Sequence, residues 1–122
     1  MATTDKCVSI YPFFVIKDGQ LENVKKTLPQ FVEKTTSEEG CLYYGFSICG
    51  NKLHCREGYR NAEGVLAHVE NVGSLLQEFL ESGMVELVEF QLHGPEEELA
   101  KLREPLASLN PEYWVLEYGF RR

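Results

Sequence analysis

Three observations predict an α+β fold for this chain: a split β-α-β antiparallel sheet with its helices on one face. Short β-branched and aromatic runs alternate with segments whose apolar residues recur at three- and four-residue spacing. Two strand-like runs flank Gly50-Asn51, a two-residue loop of the kind that suits primed hairpin turns. Capped helical segments follow the first and third strand-like runs. The resulting order is β-α-β-β-α-(α)-β, followed by an added C-terminal α-β. The chain reads as a single domain over residues 1–122, with the core at 7–93 and the extension at 94–122.

Each element has a local reason. Cys7 to Ile16 is β-branched and aromatic and reads as a strand buried on both faces. Pro12 cannot donate to a ladder there, so a bulge is expected. After Asp18-Gly19, a helix is predicted from the stripe Leu21, Val24, Leu28, Phe31 and Val32, kinked at Pro29 and stopping at Gly40. Cys41 to Cys49 and Lys52 to Tyr59 are the hairpin strands. Asn61 caps a helix through Val65, Leu66 and Val69, which is expected to break at Asn71–Gly73. Ser74 and Gln77 would restart it as a capping box. Val85 to His93 is a fourth strand. Pro95 opens a third helix with a solvated acidic first turn (Glu96, Glu97, Glu98), Pro105 ends it, and Tyr113 to Phe120 is a last strand.

The hairpin turn fixes a register that sorts the side chains by face. Cys49 is predicted opposite Lys52, Ile48 opposite Leu53, Phe46 opposite Cys55, Tyr44 opposite Glu57, and Leu42 opposite Tyr59. One face then carries a carboxylate and phenols (Glu57, Tyr44, Tyr59) among apolar neighbours, which suggests a pocket. His54 and Arg56 fall on the other face. A four-stranded sheet covered by helices on one side leaves its second face bare in so short a chain. A second copy packing on that face, a homodimer, is the economical solution.

Composition excludes several classes. Twelve basic residues against nineteen acidic give a net charge of −7, which disfavours nucleic acid and anionic membranes as partners. The longest apolar run, Val8 to Ile16, is too short to span a bilayer, and the opening MATTDKC lacks the pattern of a signal peptide. Cys7, Cys41, Cys49 and Cys55 form no CxxC pair and no ligand spacing, so reduced, mostly buried thiols in a cytoplasmic protein are expected. No metal motif, phosphate loop or nucleophile elbow is present.

The run Glu39-Gly40-Cys41-Leu42 with Tyr44, then Glu57 and Tyr59, then Asn61-Ala62-Glu63 and Ala67-His68 resembles the antibiotic biosynthesis monooxygenase family. The likeness covers residues 7–93 as layout and 38–68 as motif. It implies a ferredoxin-like chain that pairs into a dimeric α+β barrel, with the ligand held between sheet and helices. It also implies cofactor-independent oxygenation of a small aromatic, quinol or polyketide-like substrate: a base deprotonates a phenol or hydroquinone, whose anion reduces dioxygen directly. On that analogy Glu57, His68 and Tyr44 are the expected catalytic residues. Tyr59, Phe46, Leu42 and Phe13 are the expected substrate contacts, and neither metal nor cofactor is expected. The first strand lacks the Asn of some oxygenases and haem degraders in this family, and the lone Trp114 lies in the extension. Neither of those constellations carries over. A non-catalytic barrel that binds a small apolar ligand is the other class in play. For Glu57 a buried carboxylate satisfied by a phenol or a helix N-terminus, for His68 a half-exposed structural role, for Tyr59 simple packing, and for His93 a helix-capping role stand beside these assignments.

Overall fold

The computed structural model describes residues 5–122; residues 1–4 of the MATTDKC segment lie outside the described part. Its elements are β1 (Val8–Ile16), α1 (Leu21–Thr35), β2 (Cys41–Cys49), β3 (Lys52–Tyr59), α2 (Ala62–Glu81), β4 (Val85–Gly94), α3 (Glu96–Ala100) and β5 (Glu112–Val115). A 3-10 turn at Ala107–Leu109 precedes β5. The strands form one sheet in the order β2-β3-β1-β4-β5. The first four are antiparallel, in the ferredoxin-like arrangement that the element order predicts, and β5 joins β4 in parallel.

The alternation within β1 shows how the sheet is used. Val8, Ile10, Pro12, Phe14 and Ile16 are buried, while the residues between them are only half-buried, so one face is covered by helices and the other is not. This corrects the expectation of a strand buried on both faces. Two apolar clusters fill the covered side. One gathers Val8, Ile10, Tyr59, Val65 and Leu92 with Leu99, Leu102 and Leu106; the other gathers Phe14, Val24, Phe31, Leu53, Val72 and Phe79. The β1–β4 ladder shifts register between Phe13 and Phe14, one residue past the proline that prompted the expectation of a bulge.

Four details of the expected elements change. In α1, Val24 and Phe31 are buried but Leu21 and Val32 are exposed, so the stripe is narrower than its spacing implies; the helix runs on through Pro29. The break expected at Asn71–Gly73 is absent, because α2 is one helix of 20 residues. Buried Val65, Val72 and Phe79 keep one unbroken stripe across it, and burying them outweighs the roughly 1 kcal/mol that Gly73 costs. Asn71 does not compete with the helix backbone, because its side-chain amide donates to Lys34 O and to Glu38. In the extension, Pro95 sits just before the helix, and α3 has only 5 residues rather than continuing to Pro105. Strand β5 stops at Val115, which leaves Tyr118 and Phe120 exposed. The extension is nevertheless anchored by Leu99, Leu102 and Leu106, all fully buried in the first cluster.

Glu98 departs most from expectation. It is not part of a solvated turn but is 3% exposed. Its Oε1 accepts the Ala62 backbone N–H at 2.9 Å, and Oε2 pairs with Lys101 at 3.2 Å. A carboxylate from the extension thus satisfies an orphan donor at the start of α2 and complements its dipole.

The uncovered sheet face is an aromatic array. His54 stacks on Phe13 (4.3 Å between centroids), Tyr11 meets His93 edge-on (4.6 Å), and His93 stacks on Trp114 (5.3 Å). His93 therefore does not cap a helix; its Nε2 bonds to Gln91. All four cysteines are free thiols, with Cys55 buried, Cys7 and Cys41 half-buried and Cys49 exposed, so fewer are buried than expected. Among the described residues no helix is long and apolar enough to cross a membrane, and no cluster of His, Cys, Asp or Glu is arranged to hold a metal ion.

Candidate active site

The hairpin builds the site. Its ladder pairs Cys49 with Lys52, Phe46 with Cys55 and Tyr44 with Glu57, as the turn requires. The register slips between Cys41 and Tyr43, so Tyr59 faces Cys41 rather than Leu42. Glu57, Cys55 and Tyr44 consequently point toward the helices. There they meet His68, which follows Val65 by three residues and precedes Val72 by four, on the inward stripe of α2. Far from being half-exposed, His68 is 5% accessible.

The polar groups form a single connected line. The Tyr59 hydroxyl donates to Glu57 Oε1 at 2.7 Å, and His68 Nε2 lies 3.5 Å from the same oxygen. On its other side His68 Nδ1 is 2.9 and 3.1 Å from the two carboxylate oxygens of Glu38. Asn71 Nδ2 donates to Glu38 Oε2 at 2.7 Å and fixes that carboxylate in turn. A carboxylate can only accept, so the proton of neutral His68 belongs on Nδ1. That leaves the Nε2 lone pair facing Glu57 and the cavity.

Burial sets the protonation states. Desolvation raises the Glu57 pKa to about 7, although hydrogen bonds from Tyr59 and Cys55 pull it down. Burial lowers the pKa of His68, against the opposing pull of Glu38. The same desolvation raises the Tyr44, Tyr59 and Cys55 pKa values well above their ordinary ranges, so these stay protonated as donors. Near neutral pH the site therefore holds a carboxyl group poised between its two states beside a neutral imidazole. This is an acid and a base side by side, as general acid–base catalysis requires.

These groups open on a cavity of about 60 Å³ between sheet and helices. Tyr44, Cys55, Glu57 and His68 are its polar lining. Phe14, Phe31, Phe46, Val72, Phe79 and Phe90 are part of the apolar wall, and Leu109 closes in from the extension. Among the described residues, no lysine or arginine lines it.

Of the residues singled out from sequence, Glu57, His68, Tyr44 and Phe46 meet at this cavity. Three lie elsewhere. Tyr59 is fully buried behind Glu57 and acts on it through the hydrogen bond. Phe13 sits on the opposite sheet face against His54, because alternation sends Phe14 inward instead. Leu42, the residue skipped by the register slip, lines a separate cleft beside the end of α1. Sequence reading missed Glu38, Asn71 and Leu109, and it put Cys55 on the pocket face without giving it a role. Glu38 stands one residue before the Glu39-Gly40-Cys41 run, and no local pattern marks it as a partner of a helix 30 residues on.

Glycine makes that partnership possible. A Cβ on Gly40 would stand 2.9 Å from Gly64 Cα, and one on Gly64 would stand 3.1 Å from Gly40 O. The turn carrying Glu38 thus docks backbone to backbone against α2, about one turn before His68. Gly40→Ala is expected to cost about 1–3 kcal/mol by forcing the two apart and to loosen the Glu38–His68 contact. Urea denaturation with a histidine NMR spectrum checks both, and unchanged values would show that the turn can shift freely.

The chain matches no protein-family model and none of the curated proteins. Among solved structures, MupZ from Pseudomonas fluorescens is 41% identical, with a TM-score of 0.94 over all of this chain and 94% of its own. A candidate antibiotic biosynthesis monooxygenase from Nitrosomonas europaea is 13% identical, with a TM-score of 0.66 over 79% of this chain and 96% of its own. A conserved protein from Methanosarcina mazei is 15% identical, with a TM-score of 0.64 over 72% and 91%. The distant likenesses establish a shared fold, that of the antibiotic biosynthesis monooxygenase-like proteins. With identity this high over nearly the whole of both chains, the protein belongs to the same family as MupZ.

Proposed function

We propose that this chain is an enzyme of general acid–base chemistry acting on a small, neutral, largely apolar molecule. The observation that carries the reading is His68 held between Glu38 and Glu57, with Nε2 and the Glu57 carboxyl both at an apolar cavity. His68 takes a proton from the substrate, Glu57 gives or receives one at a substrate oxygen, and Tyr44 donates to the oxygen that gains charge. A pocket without a cationic side chain favours an uncharged substrate over a carboxylate or phosphate.

Two reaction classes use this arrangement. The sequence resemblance and the fold support cofactor-independent monooxygenation. There His68 or Glu57 deprotonates a phenol or hydroquinone, and the anion reduces dioxygen. One oxygen atom enters the product and the other leaves as water, with all four electrons coming from the substrate. The closeness of acid and base favours a redox-neutral alternative, in which Glu57 protonates one substrate oxygen while His68 removes a proton elsewhere. Incubation with a panel of hydroquinones, anthrone-like phenols and apolar hydroxy-ketones in D2O, in air and under argon, separates them. Oxygen uptake above autoxidation marks the first. Isomerised product under argon marks the second, since deuterium uptake alone follows deprotonation in either class. Neither, with tight binding of panel members, would favour a binding protein.

The reading includes a homodimer joined through the uncovered sheet face, supported by the aromatic array there, which a lone chain would leave half-exposed. Free thiols support a reducing, cytoplasmic setting. Light scattering on a gel-filtration peak is expected to give about twice the 14.0 kDa chain mass. A clean monomer at micromolar concentration would contradict the dimer.

A further inference from the structure

We infer that Glu38 and the cleft beside the end of α1 form a proton outlet that connects the buried acid–base pair to solvent. The cavity where substrate would sit is walled by apolar side chains, so a proton taken there needs a route out that does not pass the ligand. The geometry supplies one on the far side of His68. Its Nε2 faces the cavity and Glu57, and its Nδ1 faces Glu38 at 2.9 Å.

Glu38 in turn lines a second, more open cleft with Thr35, Thr36, Cys41 and Leu42. Its side chain is only 8% accessible, yet it stands at the boundary between the two spaces. Tyr44 lines both cavity and cleft and separates them. Asn71 holds Glu38 Oε2 and Lys34 O together, so the carboxylate is aimed at His68 rather than free to swing out.

The step balances without any further reagent. A proton arriving at Nε2 gives the imidazolium, Nδ1 releases its own proton to the Glu38 carboxylate, and Glu38 passes it to water in the cleft. His68 is left neutral with its proton on Nε2, and the reverse path resets it. The other titratable groups facing the pair are Tyr59 and Cys55 from β3 and Tyr44 and Cys41 from β2, with Cys41 lining the cleft beside Glu38. All are donors held protonated by burial and leave Glu38 as the acceptor on the solvent side.

The inference gives a role to the acid–base reading above and rests on it, but its test needs no substrate. In 15N-histidine-labelled protein near neutral pH, exchange of the His68 ring proton with water is measured in wild type, Glu38→Gln and Glu38→Ala. Glu38→Gln keeps an acceptor for Nδ1–H but cannot carry a proton, and it is expected to slow exchange roughly tenfold or more with the His68 tautomer retained. Millimolar formate, small enough for the space vacated in Glu38→Ala, is expected to restore the rate in that variant. Exchange that is indifferent to Glu38→Gln, or a slow Glu38→Ala that formate does not rescue, overturns the outlet. Either failure leaves the turnover test of the acid–base reading untouched, and a failed turnover test leaves the exchange result standing.

Discussion

Glu57→Gln is expected to make the protein more stable at alkaline pH while removing most of its turnover. The glutamine keeps an acceptor for the Tyr59 hydroxyl and stands in for the neutral acid, so it removes only the cost of ionising a buried carboxyl. In wild type the folded-state pKa is raised to about 7 from 4.5. Below 4.5 the group is protonated whether the chain is folded or not, and its neutral form costs nothing extra. As pH rises through 7 the unfolded chain has already ionised, and that share of stability is lost. The loss amounts to roughly 3 kcal/mol by pH 8, at about 1.4 kcal/mol per pKa unit.

The gap between variant and wild type in urea denaturation should therefore open between pH 4.5 and 7 and stay constant above. His68, whose folded pKa is lowered, acts in the opposite sense. Its neutral form supports the fold above its unfolded pKa, and that support fades as pH falls below it. Comparing the two proteins cancels this term to first order. A turnover loss of roughly 10²–10⁴-fold in the same variant would show the carboxyl working at the reacting atoms. A variant less stable at every pH would show that Glu57 is ionised in the folded protein.

Glu98→Ala is expected to destabilise by about 2–4 kcal/mol, although sequence alone places this residue in a solvated acidic turn. The substitution leaves the Ala62 N–H buried without its acceptor and removes a charge-assisted bond at the N-terminal end of α2. The bond to Ala62 holds the Glu98 pKa below its usual range, with Lys101 assisting. The folded pKa being depressed, this stabilisation is present above 4.5 and is lost as pH falls through the folded value. Wild type should thus approach the variant in acid. Thermal and urea denaturation at neutral and acidic pH read the effect. A change smaller than 0.5 kcal/mol, the range of an ordinary surface site, would mean that water replaces the carboxylate at the helix start. Since α2 carries His68, the same variant links the C-terminal extension to the site.

What could be read from sequence follows how far each signal reaches along the chain. The hairpin was legible because Gly50-Asn51 sets its register locally, and Gly50 does adopt a positive φ of 61°. Tyr44 opposite Glu57 followed from that alone. Leu42 was misplaced because a bulge changes the register without any glycine or proline to announce it. The break expected in α2 does not form, because Gly73 and the Ser74 cap are local signals, and a stripe from Val65 to Phe79 overrides them through tertiary burial. Phe13 and Phe14 differ by one position in a strand, so choosing the wrong one reverses the face. Glu38 and Glu98 were invisible for a common reason. Each is a surface-type residue, Glu38 in a turn and Glu98 in the short helix α3, buried only because a distant segment lies over it: Glu38 by α2, Glu98 by folding back on Ala62.

The central claim is that Glu57 is a carboxyl group poised near neutrality beside a neutral His68 that carries its proton on Nδ1. It is tested most directly by following the carboxyl carbon of Glu57 against pH in 13C-glutamate-labelled protein, assigned by its loss in Glu57→Gln. A titration midpoint near 7 is expected, with the His68 ring neutral at that pH. A midpoint at or below the ordinary 4.5 would contradict it, because the site would then hold a fixed carboxylate and no acid to donate.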